Sequence, residues 1–325
     1  MGNVATSSIS ATYSGANFSE LFLEPIFRDS DIFQFRVIPN VKHVMNLYTA
    51  DALSCIVKKY TGCGDEESGT FAVNDKTITA GRLRVAVSEC QDAFFGTYIE
   101  ESFKNGVNVF DLTGTALMDT ILANVRQSIG NDITKMAWFG DTGYVGSNAD
   151  CYNATDGWWK LLKADTVVDG NKVAIANSGA FATGDGIIAL RAMFSTAPAA
   201  LQGVPTNEKK MFVSPLIYND YLTSIEGTSS DAAYTALKSG GNVTFRGIEI
   251  VPMHSWDVAA VQTGQADDVM AVYTALQNLV VGTDTNDPQG EMRMFYDELT
   301  EKVYVRAYFK MGVSFLYDST VQIGY

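Results

Sequence analysis

The sequence predicts an α+β fold, on three observations. Leu117, Ile121, Val125 and Ile129 recur at four-residue steps, with Met118 and Leu122 beside them, which makes the single apolar stripe of a long helix. Near the C-terminus Val303, Val305, Ala307 and Phe309 alternate with Tyr304, Arg306, Tyr308 and Lys310, the period of a strand with one buried face. Between residues 44 and 100, two strand-like limbs flank a tip rich in glycine and acids, the pattern of a long β-hairpin.

The elements follow in chain order. Residues 1–43 read as an extended, irregular arm in which Phe33, Phe35 and Val37 alternate as a short strand. Such an arm has no core of its own and must lie across the rest of the chain or a neighbour. The hairpin has MNLYTADALSCIVKKY as its first limb, TGCGDEESGTF as its tip and KTITAGRLRVAVSEC as its return. A two-stranded ribbon is marginal in water, so packing on another subunit is expected to stabilise it. The long helix spans roughly 112–137, with Asp111 or Thr113 as its cap and a bent continuation past Gly130-Asn131; 140–150 is a loop. Shorter helices are expected at 157–163, from near Thr183 to just before Pro198, at 214–227 and at 229–241, with a buried strand at 211–214. Strand-rich stretches cover 244–253 and 269–282. The last 35 residues or so read as a three-limbed meander: EMRMFYD, KVYVRAYFK and VSFLYDSTVQI.

Length suggests one large or two ordinary domains at about 150 residues each. With 46% hydrophobic and 18% charged residues, the chain has material for a real core. A net charge of −14 disfavours sequence-independent binding of nucleic acid. No apolar run approaches the roughly 18 residues of a membrane span, and the polar N-terminus has no signal-peptide core. Gly2 and Thr6 match an acylation pattern, but nothing basic follows; the sequons at Asn17, Asn153 and Asn242 mean little without secretion.

Catalytic chemistry is hard to find. Nucleophile-elbow, phosphate-loop and zinc-hydrolase patterns are missing, and His43 and His254 read as satisfied structural histidines. Cysteines 55, 63, 90 and 151 form no CxxC pair, so no zinc site is expected and reduced thiols are the plain reading. A sharper reading pairs Cys63 with Cys90 across the hairpin, with Cys55 as an alternative partner for either. Asp284, Asn286, Asp287 and Glu291 cluster near Gly290, but Pro288 takes a ligand slot and the glycine is one place late for a calcium loop. Trp158 and Trp159 read as core anchors. No cofactor is expected, and no enzyme.

The order of these parts resembles the major capsid proteins of tailed phages, of the Hong Kong 97 type. DLTGTALMDTILANVRQSIGNDITKMAWFGD (111–141) resembles the family's spine helix with its Gly-Asp turn. KKMFVSPLIYNDYLTSI (209–225) and FRGIEIVPMHSWD (245–257) resemble parts of its axial domain, and NLVVGTDTND (278–287) the return to its peripheral domain. The resemblance implies an N-terminal arm (1–43), an extended β-hairpin loop (44–100), a spine helix with the first part of a peripheral domain (101–206), an axial domain (207–277) and closing peripheral strands (278–325). It implies a subunit that assembles with itself as hexamers and pentamers into an icosahedral shell around double-stranded DNA. The acidic charge suits a wall that encloses DNA without sequence-specific binding. Implied partners are a separate scaffolding protein (or none, since the arm opens the chain almost directly), a portal and decoration proteins, with no membrane. Some relatives weld subunits by a Lys–Asn bond; Lys58, Lys59 and Lys76 lie in or near the hairpin, but no matching asparagine and carboxylate are found, so no cross-link is expected. The alternatives are an encapsulin-like compartment and, more remotely, a metal-assisted hydrolase using the acids near Asp284.

Overall fold

A computed structural model describes residues 35–50, 57, 59, 73–90, 116–226, 243–284, 293–297, 300 and 302–325. Its strands are β1 (Arg36–Ile38), β2 (Val44–Ala50), β3 (Val73–Thr79), β4 (Gly81–Cys90), β5 (Lys209–Val213), β6 (Thr244–Phe245), β7 (Ile248–Pro252), β8 (Ala271–Ala275), β9 (Leu279–Thr283), β10 (Arg293–Asp297), β11 (Lys302–Phe315) and β12 (Val321–Gly324). Its helices are α1 (Ala116–Phe139), α2 (Ala149–Tyr152), α3 (Trp158–Ala164), α4 (Thr166–Gly170), α5 (Asp185–Ser195), α6 (Ala199–Gly203), α7 (Pro215–Glu226) and α8 (His254–Thr263).

One sheet runs β12-β8-β5-β7-β6. Its inner strands are buried on both faces, and alternation sends their side chains to two different cores. Met211, Val213, Ile248, Ile250, Ala271 and Tyr273 meet Leu190 and Met193 of α5 and Ile217 and Tyr221 of α7. Phe212, Val251, Val272 and Ile323 meet Trp138 at the end of α1, Leu162 of α3 and Trp256 of α8. The β6–β7 turn needs positive φ at both central residues, Arg246 (52°) and Gly247 (82°), as a tight hairpin does. Asp220 of α7 accepts from the amides of Gly184 and Gly186 at 2.8–3.1 Å, capping the start of α5 and tying the two helices together.

The second sheet is organised around β11, 14 residues long. Lys302–Arg306 pairs with β10 on one edge and β4 on the other; further along, Met311–Phe315 pairs with β9. β1 joins parallel to β9. Here the expected meander is corrected. Its second and third limbs are one continuous strand, and VQIG leaves to become β12 against β8 in the other sheet. The apparent break at Met311-Gly312 is not a turn. A Cβ on Gly312 would stand 2.3 Å from the carbonyl oxygen of Thr79, so the glycine lets another strand cross over β11.

The long helix runs unbroken through Gly130 to Phe139, and the Thr134 hydroxyl donates to the Gly130 carbonyl at 2.8 Å. Its final turns carry Ile133, Met136, Ala137, Trp138 and Phe139 into the core. Trp138 stands 4.9 Å from both Trp158 and Trp256 and 5.5 Å from Phe212. Phe35 closes the cluster at 4.8 Å from Trp158, so this part of the expected arm is bound within its own chain. Trp158 also donates to the Ser314 carbonyl at 2.9 Å, linking the hub to β11. The helices at 157–163, before Pro198 and at 214–227 and the strand at 211–214 stand close to where expected. The helix expected at 229–241 lies outside the described residues. Helix α8 was not anticipated, and α2 occupies part of the expected 140–150 loop.

Candidate assembly surfaces

Strands β2 and β3 form a separate two-stranded ribbon, Val44 opposite Thr79 and Ala50 opposite Val73. The expected hairpin therefore exists at its base, but its return limb is divided. After Ala80 the chain switches partner, and β4 pairs with β11 instead of continuing along β2. The Leu83, Val85, Val87 alternation is present, with Leu83 buried and Arg82, Arg84 and Ala86 exposed. It faces the second sheet's core, not the first limb.

The ribbon is seated by three devices. Ile78, Ala80 and Leu47 form a small core with Val41 and Val280. Gly282 and Gly312 face each other across β9 and β11, and a Cβ at Gly282 would meet the side chains of Ile78 at 2.9 Å and Val41 at 3.0 Å. A missing pair of side chains is what lets the ribbon's root lie on the sheet. Third, Lys76 reaches Asp165 at 3.2 Å and also Asp318, and its ammonium lies 3.6 Å from the Phe315 ring centroid. Asp165 in turn accepts from the amides of Val167 and Val168 as the cap of α4. Lys76, considered above for a covalent link, is thus held within its own chain by two carboxylates.

Beyond this root no described residue covers the ribbon's outer face. Val44, Tyr48 and Val73 alternate onto its outer face with exposures of 54%, 71% and 55%. These are apolar strand residues that the described part of the chain leaves open, on a ribbon whose outer edges are unpaired among the described residues.

A second surface lies on the outer face of β4, β11 and β10. Register brings Arg82 beside Lys310, Arg84 beside Tyr308, and Ser88, Tyr304 and Phe295 into one row. Tyr304 and Phe295 stack at 5.3 Å, and the Arg306 guanidinium lies 5.2 Å and 5.5 Å from their ring centroids. Arg293 occupies the register position opposite Arg306. Lys310 pairs with Asp284 at 3.3 Å. The exposed Arg82 and Arg84 have no carboxylate partner among the described residues, while Asp297 marks the far end opposite Lys302.

The other residues singled out from sequence are scattered. Trp158 and Trp159 are buried core anchors, as expected. His43 and His254 are both exposed, far apart in the fold, and neither joins a group of catalytic or metal-ligating side chains among the described residues. Asp284 is half-buried and pairs with Lys310, and Asn286, Asp287 and Glu291 lie outside the described residues. Among the described residues no group of three or more His, Cys, Asp or Glu side chains is placed to hold a metal ion. Cys151 is free and exposed; Cys90 ends β4 opposite Lys302, and Cys55 and Cys63 lie outside the described residues. No helix among the described residues is long and apolar enough to cross a membrane. Sequence reading missed the two glycines and the acidic partners of Lys76. Gly282 and Gly312 carried a signal, each an isolated glycine inside an apolar strand; Asp165 and Asp318 carried none.

No protein-family model and no curated protein sequence matches the chain. Solved structures do. A chain of the satellite phage P4 procapsid that includes the size determination (Sid) protein superposes with a TM-score of 0.64 at 9% identity, covering 99% of this chain and 94% of its own. A chain from Mycobacterium phage Ogopogo scores 0.54 at 12% identity, covering 89% and 88%. The capsid of the native GTA particle scores 0.53 at 12% identity, covering 100% and 95%. The fold is therefore the mixed helix-and-sheet fold of phage capsid proteins.

Proposed function

We propose that this chain is the shell subunit of a tailed-phage head, assembling with itself as hexamers and pentamers around double-stranded DNA. One observation carries the reading: nearly the whole chain, and nearly the whole of the P4 procapsid chain, share one fold. The bare outer face of the β2–β3 ribbon supports it, because a surface of this kind needs a neighbour. On this reading residues 1–43 are the arm, 44–100 the extended loop, 101–206 and 278–325 the peripheral domain and 207–277 the axial domain. Its partners would be copies of itself, a scaffolding protein, a portal and decoration proteins, and its place the virion, assembled in the host cytoplasm. No catalytic role is assigned. A phage head is favoured over an encapsulin-like compartment because the solved shells named above are from phages and a GTA particle.

A Cys63–Cys90 disulfide also belongs to this proposal. With β4 bound to β11, such a bond would fasten the β2–β3 connection to the second sheet instead of stapling two limbs of one ribbon. Thiol titration of purified particles tests it; four free thiols would reject it.

The experiment for the main reading is electron microscopy of the chain expressed alone and with a candidate scaffolding protein. Closed shells or capsomer sheets are expected. A compact monomer under both conditions would overturn the reading.

A further inference from the structure

We infer that Lys209, Tyr273 and Gln322 form a buried water-binding site on the face of the sheet β12-β8-β5-β7-β6 that packs against α5 and α7. The site belongs to one subunit and is independent of assembly. Register puts the three side chains on one face. Gln322 of β12 stands directly opposite Tyr273 of β8, Tyr273 stands opposite Met211 of β5, and Lys209 lies two residues before Met211. All three are buried, Lys209 at 4% exposure and the other two at 0%. Protein groups do not satisfy them. The Tyr273 hydroxyl and the Gln322 Oε1 atom have no hydrogen-bond partner. The Lys209 ammonium donates to the carbonyls of Leu201 and Gln202 in α6, at 3.1 Å and 3.0 Å, which leaves its third N–H for another acceptor. No described carboxylate pairs with this ammonium, and burial holds it below the ordinary lysine value.

Water is the ligand that this set selects. Gln322 Nε2 donates to the Asn171 carbonyl, so the amide cannot be turned round and Oε1 remains the acceptor. Lys209 offers a donor, and its ammonium lies 6.0 Å from the Tyr273 ring centroid; the tyrosine hydroxyl can donate or accept. A guest must therefore accept from an ammonium and donate to an amide oxygen, which water does and a monatomic anion cannot. Buried waters typically make about three hydrogen bonds to polar groups of this kind. The surroundings are apolar, with Leu201, Met193 and Met211 in the same core. Leaving a hydroxyl and an amide oxygen unpaired among them costs more than immobilising a water. The site also has a place in the fold. β12 follows β11 of the second sheet, and the water joins it to β8 and, through Lys209, to β5 and α6.

The first test is an experimental structure of the full chain at a resolution that shows ordered water. A water hydrogen-bonded to at least two of Lys209 Nζ, Tyr273 Oη and Gln322 Oε1 is expected. No density there, or the hydroxyl bonded directly to the amide oxygen, overturns the inference. So does an anomalous bromide signal at the site in bromide-soaked crystals, since the guest would then be an anion. The second test reads stability. Tyr273→Phe removes the hydroxyl and keeps the ring. With water bound to the hydroxyl, the variant is expected to lose roughly fivefold in its folding equilibrium constant, read by urea denaturation of unassembled protein. In a dry site the same change would relieve an unpaired buried group. Stability equal to or above wild type therefore sinks the site.

Discussion

The aromatic hub and the β2–β3 ribbon place their apolar side chains in opposite ways. In the hub, Trp138, Trp158, Trp256, Phe35 and Phe212 converge from five separate parts of the chain, and the three indoles are each 1% exposed or less. In the ribbon, Tyr48 is 71% exposed although it sits in a regular strand. Local structure is equally well formed in both; what differs is whether the described residues supply the covering surface. The hub is complete within one subunit. Its energy goes into folding, while on the proposed shell reading the ribbon's outer face releases its energy on association.

The sharpest way to break this contrast is to cut into the hub. Trp138→Ala should cost about 3–5 kcal/mol of unfolding free energy, read by urea denaturation of unassembled protein. A loss below about 1 kcal/mol would mean that the hub is not the cornerstone of the subunit. Next comes the seat of the ribbon. Gly312→Ala puts a Cβ against the Thr79 carbonyl and should cost about 1–3 kcal/mol, with faster amide hydrogen exchange at Ile78 and Thr79. Unchanged exchange there would show that the two strands do not need to touch. Lys76→Met should cost about 1–2 kcal/mol, because it leaves Asp165 and Asp318 without their shared cation. Stability equal to wild type after this change would remove the clamp from the account.

Alkaline pH probes the interior without mutation. Burial pushes the Tyr273 phenol up to about 12, and burial with nearby Cys151, Asp132 and Tyr144 does the same for Tyr152. Both phenols hold their protons more tightly folded than unfolded. Their contribution is therefore complete below the ordinary value of 10 and is lost as pH rises through about 12. Tyrosinate absorbance should rise for the exposed tyrosines first and for these two only with unfolding. Two late-titrating phenols that ionise early, in a folded chain, would contradict the packing. The smallest effect on folding is expected from Tyr48→Ser, within about 0.5 kcal/mol for the isolated subunit. The same variant should hinder assembly, and an assembly yield equal to wild type would deny the ribbon its role.

Some features were readable because they depend only on neighbours in the chain. The spacing of Leu117 to Ile129 announced the long helix, and the alternation from Val303 to Phe309 announced a strand. Trp158 and Trp159 announced a buried anchor, since two adjacent indoles on an amphipathic turn have little other use. α8 was missed because Trp256, Ala259 and Ala260 face the core while Val258 and Val261 are exposed, which blurs the apolar stripe.

The sequence by itself determined the element types, the core aromatics, the acidic balance and the overall order that resembles a capsid subunit. Only the tertiary structure decided which strand pairs with which. KTITAGRLRVAVSEC reads as one limb, yet it serves β2 up to Thr79 and β11 from Gly81, and nothing local distinguishes the two halves. The C-terminal run likewise reads as separate limbs until Gly312 is seen to be a crossing point. The physical reason is that periodicity records which face of a strand is buried, whereas partner and register depend on the backbone and side chains brought against it from far along the chain.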